Sequence, residues 1–217
     1  MANDPILSRR NVLKWSGAAA TVVVAGAVLP NFGISAALAA DLGAGDIGVL
    51  NYAYALEQLE AAFYTQVLET PYAGMTGDEQ TILTAIRDHE IAHRDFLKKA
   101  LGHSAIPDLE VNFSKINFNS RKSVLGTADV FENLGVAAYN GAGKLIQKVD
   151  YLAAAGSIVS VEARHAAAIA ELLHGGSAAA AGAGHVDGHG LDGALSPKQV
   201  LPKAAPFIKT PVTAMSL

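Results

Sequence analysis

Two stretches of this sequence decide its fold: RDHEIAHRDFL at residues 87–97, with Glu90 and His93, and SVEARHAAAIA at residues 160–170, with Glu162 and His165. Both contain Glu-x-x-His within a run that has a helical pattern. Residues three apart are neighbours on one face of an α-helix, so each motif predicts a carboxylate beside an imidazole. The alternative, two solvated faces with chance spacing, fits poorly, because charges among so many alanines need a partner or a metal.

A second kind of stretch, apolar and carrying glutamate, precedes each motif: YALEQLEAAFY at residues 54–64 and VFENLGVAAY at residues 130–139. The sequence therefore contains two half-sites of the same kind in the same order. One Glu from each of two helices and one Glu-x-x-His from each of two others form the ligand set of di-iron and di-manganese carboxylate bundles. The predicted metal ligands are Glu57, Glu60, Glu90, His93, Glu132, Glu162 and His165.

The first helix offers two glutamates for one ligand position. Glu60 lies 30 residues before Glu90, the same separation as Glu132 from Glu162. Glu57 is favoured by on-helix spacing, because Tyr64 follows it by seven residues, as Tyr139 follows Glu132. We favour Glu57, since connections change length more easily than helices do, and keep both. Tyr64 and Tyr139 are expected to share a face with those glutamates, as hydrogen-bond donors, as redox-active phenols or simply as packing residues.

The metal is restricted by the absence of cysteine, which excludes thiolate ligands and disulfides. Imidazole and carboxylate suit iron, manganese or zinc, and we expect two Fe or two Mn ions. His89 is adjacent to Glu90 and should point about 100° away from it on an α-helix. His185 and His189, in a glycine-rich stretch, are interpreted as polar linker residues.

Apolar periodicity predicts four long helices, at about residues 47–68, 77–101, 124–141 and 150–174. We expect Asp46 to cap the first, with Thr127 an alternative start for the third, and a Thr76–Glu79 capping box to begin the second. Gly102 should end the second helix. Residues 102–122 form a long crossover with extended pieces around residues 111–113, so the prediction is all-α, two helical hairpins joined across a bundle.

The first residues predict export. Ser8-Arg9-Arg10-Asn11-Val12-Leu13-Lys14 resembles a twin-arginine signal, and Ala37-Leu38-Ala39 predicts cleavage after Ala39. The alternative is a retained anchor, but the apolar run of about 15 residues is short of the ~20 that span a bilayer. We therefore expect no stable membrane span after processing and a periplasmic or extracellular location. The mature chain carries about six net negative charges and no basic patch, so no nucleic-acid partner is expected.

The predicted organisation has four segments: a twin-arginine-type signal peptide at 1–39, a four-helix bundle at 40–175, a Gly/Ala/His-rich linker at 176–194, and a C-terminal helix and docking tail at 195–217. Ser196-Pro197 should begin the short helix, because proline is favoured at its first position. Phe207 and Ile208 are expected to dock the tail.

The same motifs carry a family resemblance. LEQLEAAFY, HEIAHRDFL, FENLGVAAY and VEARHAA, with SPKQVLPKAAPFI near the end, resemble the ferritin-like superfamily. Within it, the chain is similar to an exported ferritin-like domain family that includes desiccation-related proteins. The resemblance covers about residues 46–210 and implies a ferritin-like four-helix bundle. In the superfamily this ligand pattern serves ferroxidases, rubrerythrin-like peroxidases, oxygenases and manganese catalases.

Two functions follow as expectations. The first is an oxidoreductase that handles a small inorganic substrate, peroxide, O2 or Fe(II), at a dimetal site in the bundle core. The second is a non-catalytic, metal-binding envelope protein that protects against drying or other stress, with the metals stabilising its fold. The sequence leaves open the choice of Fe or Mn, the substrate and the oligomeric state, including a homo-oligomer.

Overall fold

The computed structural model describes residues 39–176, 178–214 and 216–217. The predicted signal peptide, up to residue 38, lies outside these residues. Five α-helices are described: α1 Gly45–Glu69, α2 Gly77–Leu101, α3 Arg121–Gly143, α4 Val149–His174 and α5 Pro197–Ala204. Two short strands, β1 Ala40–Asp41 and β2 Val212–Thr213, pair in parallel. Within the described residues, no helix combines the length and apolar character needed to cross a membrane.

The four long helices form two hairpins, as predicted. The most extensive helix contacts join α1 to α2 and α3 to α4, while α1 with α3 and α2 with α4 contact less. Helix α1 is the central element, since every residue from 48 to 61 is buried. Since α1 is buried on all sides, its apolar residues are not confined to one face, which explains its low amphipathicity. The all-α bundle prediction is confirmed.

The crossover between the hairpins is fixed by polar side chains of α1. Asn51 donates to the carbonyl oxygens of Leu42 and Ser104, at 3.1 and 2.8 Å, and accepts from the Ile106 N–H at 2.9 Å. Gln58 accepts from the Leu109 N–H at 2.7 Å. These bonds satisfy buried backbone groups that no helix or strand pairs. The crossover contains a short 3-10 turn, Gly102–Ser104, and is otherwise held to α1 mainly by these side-chain bonds.

Helix ends test the local predictions. The Thr76–Glu79 capping box is present, with bonds of 2.8 and 3.2 Å, and Gly102 ends α2 at a positive φ of 55°. The prediction that Asp46 caps α1 is wrong. Its carboxylate instead accepts from the Gln147 and Lys148 N–H groups at 2.7 and 3.1 Å, just before α4. The Asp46 carboxylate thus bonds backbone N–H groups before α4 instead of the N–H groups at the start of its own helix.

Helix α3 also starts earlier than predicted. Ser120 caps it, accepting from the Ser123 N–H at 3.3 Å. Thr127, the alternative start, lies inside the helix, where its hydroxyl donates to the Ser123 carbonyl at 2.8 Å. A threonine hydroxyl bonded four residues back is compatible with a helix interior, so the alternative start at Thr127 is wrong.

The C-terminal segment docks on the bundle. Phe207 packs edge-on against Phe131, with ring centroids 4.9 Å apart, and Ile208 forms an antiparallel bridge with Val111. The predicted docking residues and the extended piece at residues 111–113 are confirmed. β2 then pairs with β1, so both ends of the described chain meet beside α1.

Replacing Gly141 by alanine is expected to destabilise the fold by about 1–3 kcal/mol. A Cβ at this position would lie 1.9 Å from the Leu195 carbonyl oxygen, a backbone atom. Chemical denaturation measures the effect, and G126A on the same helix is the matched control. Nothing lies within 4 Å of a Cβ at Gly126, so alanine there should stabilise by about 0.5–1 kcal/mol. Equal stability of the two variants would contradict the docking of residue 195 on α3.

Candidate metal centre

Each long helix of the bundle contributes a glutamate to its centre. Glu57, Glu90, Glu132 and Glu162 are all 0% exposed. The two motif histidines lie beside them, and their side chains are 13% exposed in His93 and 5% in His165. Their burial follows from position, because Glu-x-x-His faces the bundle axis on α2 and α4. The structure thus brings together six of the seven predicted ligands.

These six residues form two groups that could each hold a metal ion. The His93 group consists of Glu57, Glu90, His93 and Glu162, and the His165 group consists of Glu90, Glu132, Glu162 and His165. In each group the donor atoms lie within 4.8 Å of one another. Glu90 and Glu162 belong to both groups, so these two carboxylates stand between the two sites.

The geometry is approximately two-fold symmetric. Nδ1 of His93, on α2, lies 3.0 Å from Glu162 Oε1 on α4 and 3.5 Å from Glu57 Oε2 on α1. Nδ1 of His165, on α4, lies 2.7 Å from Glu90 Oε1 on α2 and 3.5 Å from Glu132 Oε2. Each imidazole therefore points the same nitrogen at carboxylates from both hairpins.

The donor atoms fit a cation, because they are buried and lack hydrogen bonds. Eight such atoms share this condition: Glu57 Oε2, Glu90 Oε1 and Oε2, His93 Nδ1, Glu132 Oε2, Glu162 Oε1 and Oε2, and His165 Nδ1. The imidazoles approach at ion-pair distance without the direction of a hydrogen bond. Buried polar atoms are rarely left unpaired. Two metal ions, one in each group, would provide these atoms with partners, and imidazole with carboxylate suits Fe, Mn or Zn.

Without metal, the site holds protons in place of cations. Burial, followed by neighbouring carboxylates, raises the pKa of Glu57 and Glu60 well above the ordinary value. Burial also raises the pKa of Glu132 to about 8. Burial opposes charge on the histidines, but the glutamate carboxylates at ion-pair distance raise the pKa of His93 and His165 to about 12. Protons or cations therefore stabilise the cluster strongly, because its buried carboxylates repel one another when they are ionised.

Glu90 behaves differently from the other glutamates. Burial disfavours its charge, but interactions with His165 and His93 lower its pKa to about 2. It is thus ionised at neutral pH even without metal. This fits its position between the two imidazoles, shared by both groups.

Glu60 is buried but belongs to neither group. It reaches the site beside Gly135 of α3, where an added Cβ would lie 3.4 Å from Glu60 Oε1 and 3.6 Å from Glu162 Oε2. The absence of a side chain at residue 135 makes room for this extra carboxylate. Of the two alternatives on α1, the structure places Glu57 among the donor atoms and Glu60 next to them.

The two tyrosines contact the site across the hairpins. The Tyr64 hydroxyl donates to Glu132, and the Tyr139 hydroxyl donates to Glu57. The expected role as hydrogen-bond donors to the site is confirmed, and each tyrosine bonds the glutamate of the other hairpin, not the one on its own helix. Seven residues advance about 10 Å along the axis, too far for contact. Burial raises the pKa of both tyrosines well above the ordinary value, so both remain proton donors.

Replacing Tyr64 or Tyr139 by phenylalanine is expected to weaken metal binding by about 10–100-fold, the usual effect of losing a group that orients a ligand. The physical reason is that Glu132 or Glu57 loses its only hydrogen-bond donor of the described residues. Titration with Mn(II), followed by calorimetry, measures the change. Y52F is the control, because the buried Tyr52 hydroxyl has no hydrogen-bond partner within the described chain. Unchanged affinity in Y64F and Y139F would limit both tyrosines to packing.

Sequence reasoning missed the contribution of His89. Its side chain is in neither donor group but meets α4: His89 Nδ1 lies 2.9 Å from His165 Nε2, and the two ring planes differ by 8° with centroids 5.2 Å apart. No local pattern reports this contact, since it depends on how α2 packs against α4. His185 and His189 are in neither metal-binding group.

The four long helices and their buried carboxylate–imidazole cluster define a helical bundle with a candidate metal centre. The chain belongs to the ferritin-like domain family, whose model matches residues 45–175. That range contains α1 to α4 and all seven predicted ligands. No curated protein matches the chain. The resemblance to the ferritin-like superfamily is confirmed, while the similarity to desiccation-related proteins stays a prediction.

Proposed function

We propose that this protein binds two Fe or two Mn ions in the bundle core and uses them on peroxide, O2 or Fe(II). The observation that carries the proposal is the sharing of Glu90 and Glu162 by two adjacent donor groups. The four carboxylates in these groups carry the negative charge that two divalent cations neutralise. A pair of these metals would supply the redox chemistry, which no side chain of the cluster can perform alone.

The protein's own residues would hold the ions and place protons beside them. The two donor groups would hold one ion each and share Glu90 and Glu162, and the tyrosines hold protons at the hydroxyl groups that face Glu57 and Glu132. A cavity of about 30 Å³ lies beside Tyr139 and is lined mainly by apolar side chains, including Phe96 and Ile158. A space of this size admits molecules close to water in size, and it touches the site through Tyr139, which donates to Glu57.

We also propose export through the twin-arginine route to the periplasm or beyond. The support is Arg9-Arg10 followed by an apolar run and Ala37-Leu38-Ala39. The proposed cleavage would leave Ala40 at the mature N-terminus, where its N–H donates to the Pro211 carbonyl at 2.7 Å. N-terminal sequencing of envelope protein should begin at Ala40, and a chain retaining Arg9-Arg10 would overturn this part.

Elemental analysis of protein purified from its native envelope, without added metal, tests the central proposal. We expect close to two Fe or Mn per chain. The loaded protein should then consume peroxide, or oxidise Fe(II), faster than the same concentration of free metal. Zinc, an empty site or inactivity in both assays would overturn the redox function. Those outcomes would favour the alternative, a metal-stabilised protein that protects the envelope under stress.

A further inference from the structure

The two donor groups are symmetric in their ligands but not in the support of their histidines. Nε2 of His165 lies 2.9 Å from His89 Nδ1, and the two rings are nearly parallel. No residue of the described chain bonds Nε2 of His93. His89 precedes Glu90 by one residue, and the residue that precedes Glu162 on α4 is Val161, whose side chain has no polar atom.

This difference matters because of how imidazole binds a metal. A ligating nitrogen must be free of its proton, and both histidines point Nδ1 at the carboxylates. The proton therefore belongs on Nε2. In His165 this N–H can donate to His89 Nδ1, 2.9 Å away, which holds the ring orientation and keeps the proton on Nε2 when Nδ1 binds the metal. Partners of this kind raise metal affinity by about 10–100-fold.

Solvent exposure also distinguishes the two histidines, with the supported histidine, His165, the more buried. The His93 side chain is 13% exposed and that of His165 is 5% exposed. His89 itself is exposed on α2, so core packing does not account for its position. Its Nδ1 nevertheless contacts the nearly buried His165 side chain.

We infer that His89 makes the two metal positions unequal, so that the His165 group fills first and releases its ion last, while the His93 group exchanges its ion readily. His89 acts as a positioning residue through His165. The inference rests on the proposed two-ion site but not on its chemistry. It holds for any divalent ion that imidazole and carboxylate bind.

Single-position variants isolate each group. H93A keeps the complete His165 group, and H165A keeps the complete His93 group. Each is combined with H89A, and all four proteins are titrated with Co(II), whose visible absorption reports the ligand field. H89A should weaken Co(II) binding about 10–100-fold in the H93A protein and should leave it unchanged in the H165A protein.

Two further proteins separate positioning from simple structural damage. In the H93A background, H89N should recover most of the lost affinity, because the Asn oxygen occupies the place of His89 Nδ1 and can accept the same proton. H103A, which removes an exposed histidine after α2, should change nothing. In the unmodified protein, a chelator should remove the two Co(II) ions in two separate steps. In the H89A single variant, both ions should leave in one step.

The outcomes are distinct. Equal loss in the H93A and H165A backgrounds, or no loss in either, overturns the role of His89 and leaves the metal centre intact. Failure of the unmodified protein to bind Co(II) overturns the proposed metal function itself. Selective loss in the H93A background, with recovery by H89N, supports the inference even if the loaded protein shows no redox activity.

Discussion

Replacing Glu90 by glutamine is expected to release both metal ions together. Glu90 contributes donor atoms to both groups, so one substitution removes a charged ligand from each. Glutamine offers one neutral oxygen, and three carboxylates would then face two divalent cations. The loss in metal affinity should exceed the roughly 100-fold that follows from removing a residue that only hydrogen-bonds to a ligand. E90Q should therefore be purified with almost no metal.

Comparison with the unshared glutamates makes this test specific. E57Q should empty only the His93 group, and E132Q only the His165 group, so each should retain about one ion by elemental analysis. E69Q, at the exposed end of α1, is the control and should retain two. If E90Q keeps one ion, as E57Q and E132Q are expected to, Glu90 is not shared and the paired site is wrong.

The fold was predictable because its signals are local and repeated. The two Glu-x-x-His motifs need only the helical period to place both side chains on one face. The capping box at Thr76 and the stop at Gly102 involve residues within one turn of each other. The predictions failed where a polar side chain can bond either to its own helix or to a residue distant in sequence. Asp46 could cap its own helix, but it binds N–H groups about 100 residues away, and nothing near Asp46 in the sequence indicates that partner.

The candidate site likewise has features that depend on local sequence and features that depend on how the helices pack. Spacing along each helix is sufficient to identify the Glu-x-x-His pairs. The choice between Glu57 and Glu60 depends on α3, where Gly135 leaves space for Glu60 beside Glu162 without adding it to either group. The tyrosine bonds and the His89–His165 contact cross between helices. A single sequence carries no record of which faces meet, so these contacts emerge only once the helices are packed.

Removing the metals should reverse the pH dependence of stability. In metal-free protein, the pKa of Glu132 is raised to about 8, so the folded state keeps a proton that the unfolded chain releases above its ordinary value near 4.5. Stability from this group is present at low pH and is lost as pH rises towards 8. Glu57 and Glu60 act with the same sign. Each such group lowers stability by about 1.4 kcal/mol per pH unit within its range.

The two histidines extend the loss of folding stability to higher pH, whereas Glu90 makes the protein less stable at low pH. With a pKa of about 12, His93 and His165 contribute stability that is complete below about 6.5 and is lost above it. Glu90, with a pKa of about 2, contributes stability that is present above about 4.5 and is lost as pH falls below it. Metal-free protein should thus be most stable at mildly acidic pH and weaken steadily from pH 5 to 8.

The metal-loaded protein should show the opposite slope, because an ion can bind only after the ligands lose those protons, and its affinity therefore rises with pH. At a free metal concentration about a thousandfold above Kd, each ion adds about 4 kcal/mol to folding stability. Melting temperatures of loaded and chelated protein between pH 5 and 8 should accordingly diverge. E90Q in the presence of metal is the matched control and should decline with pH, as the chelated protein does. Parallel curves for loaded and chelated protein would mean that the cluster does not exchange its protons for metal, and the unpaired donor atoms would then need another explanation.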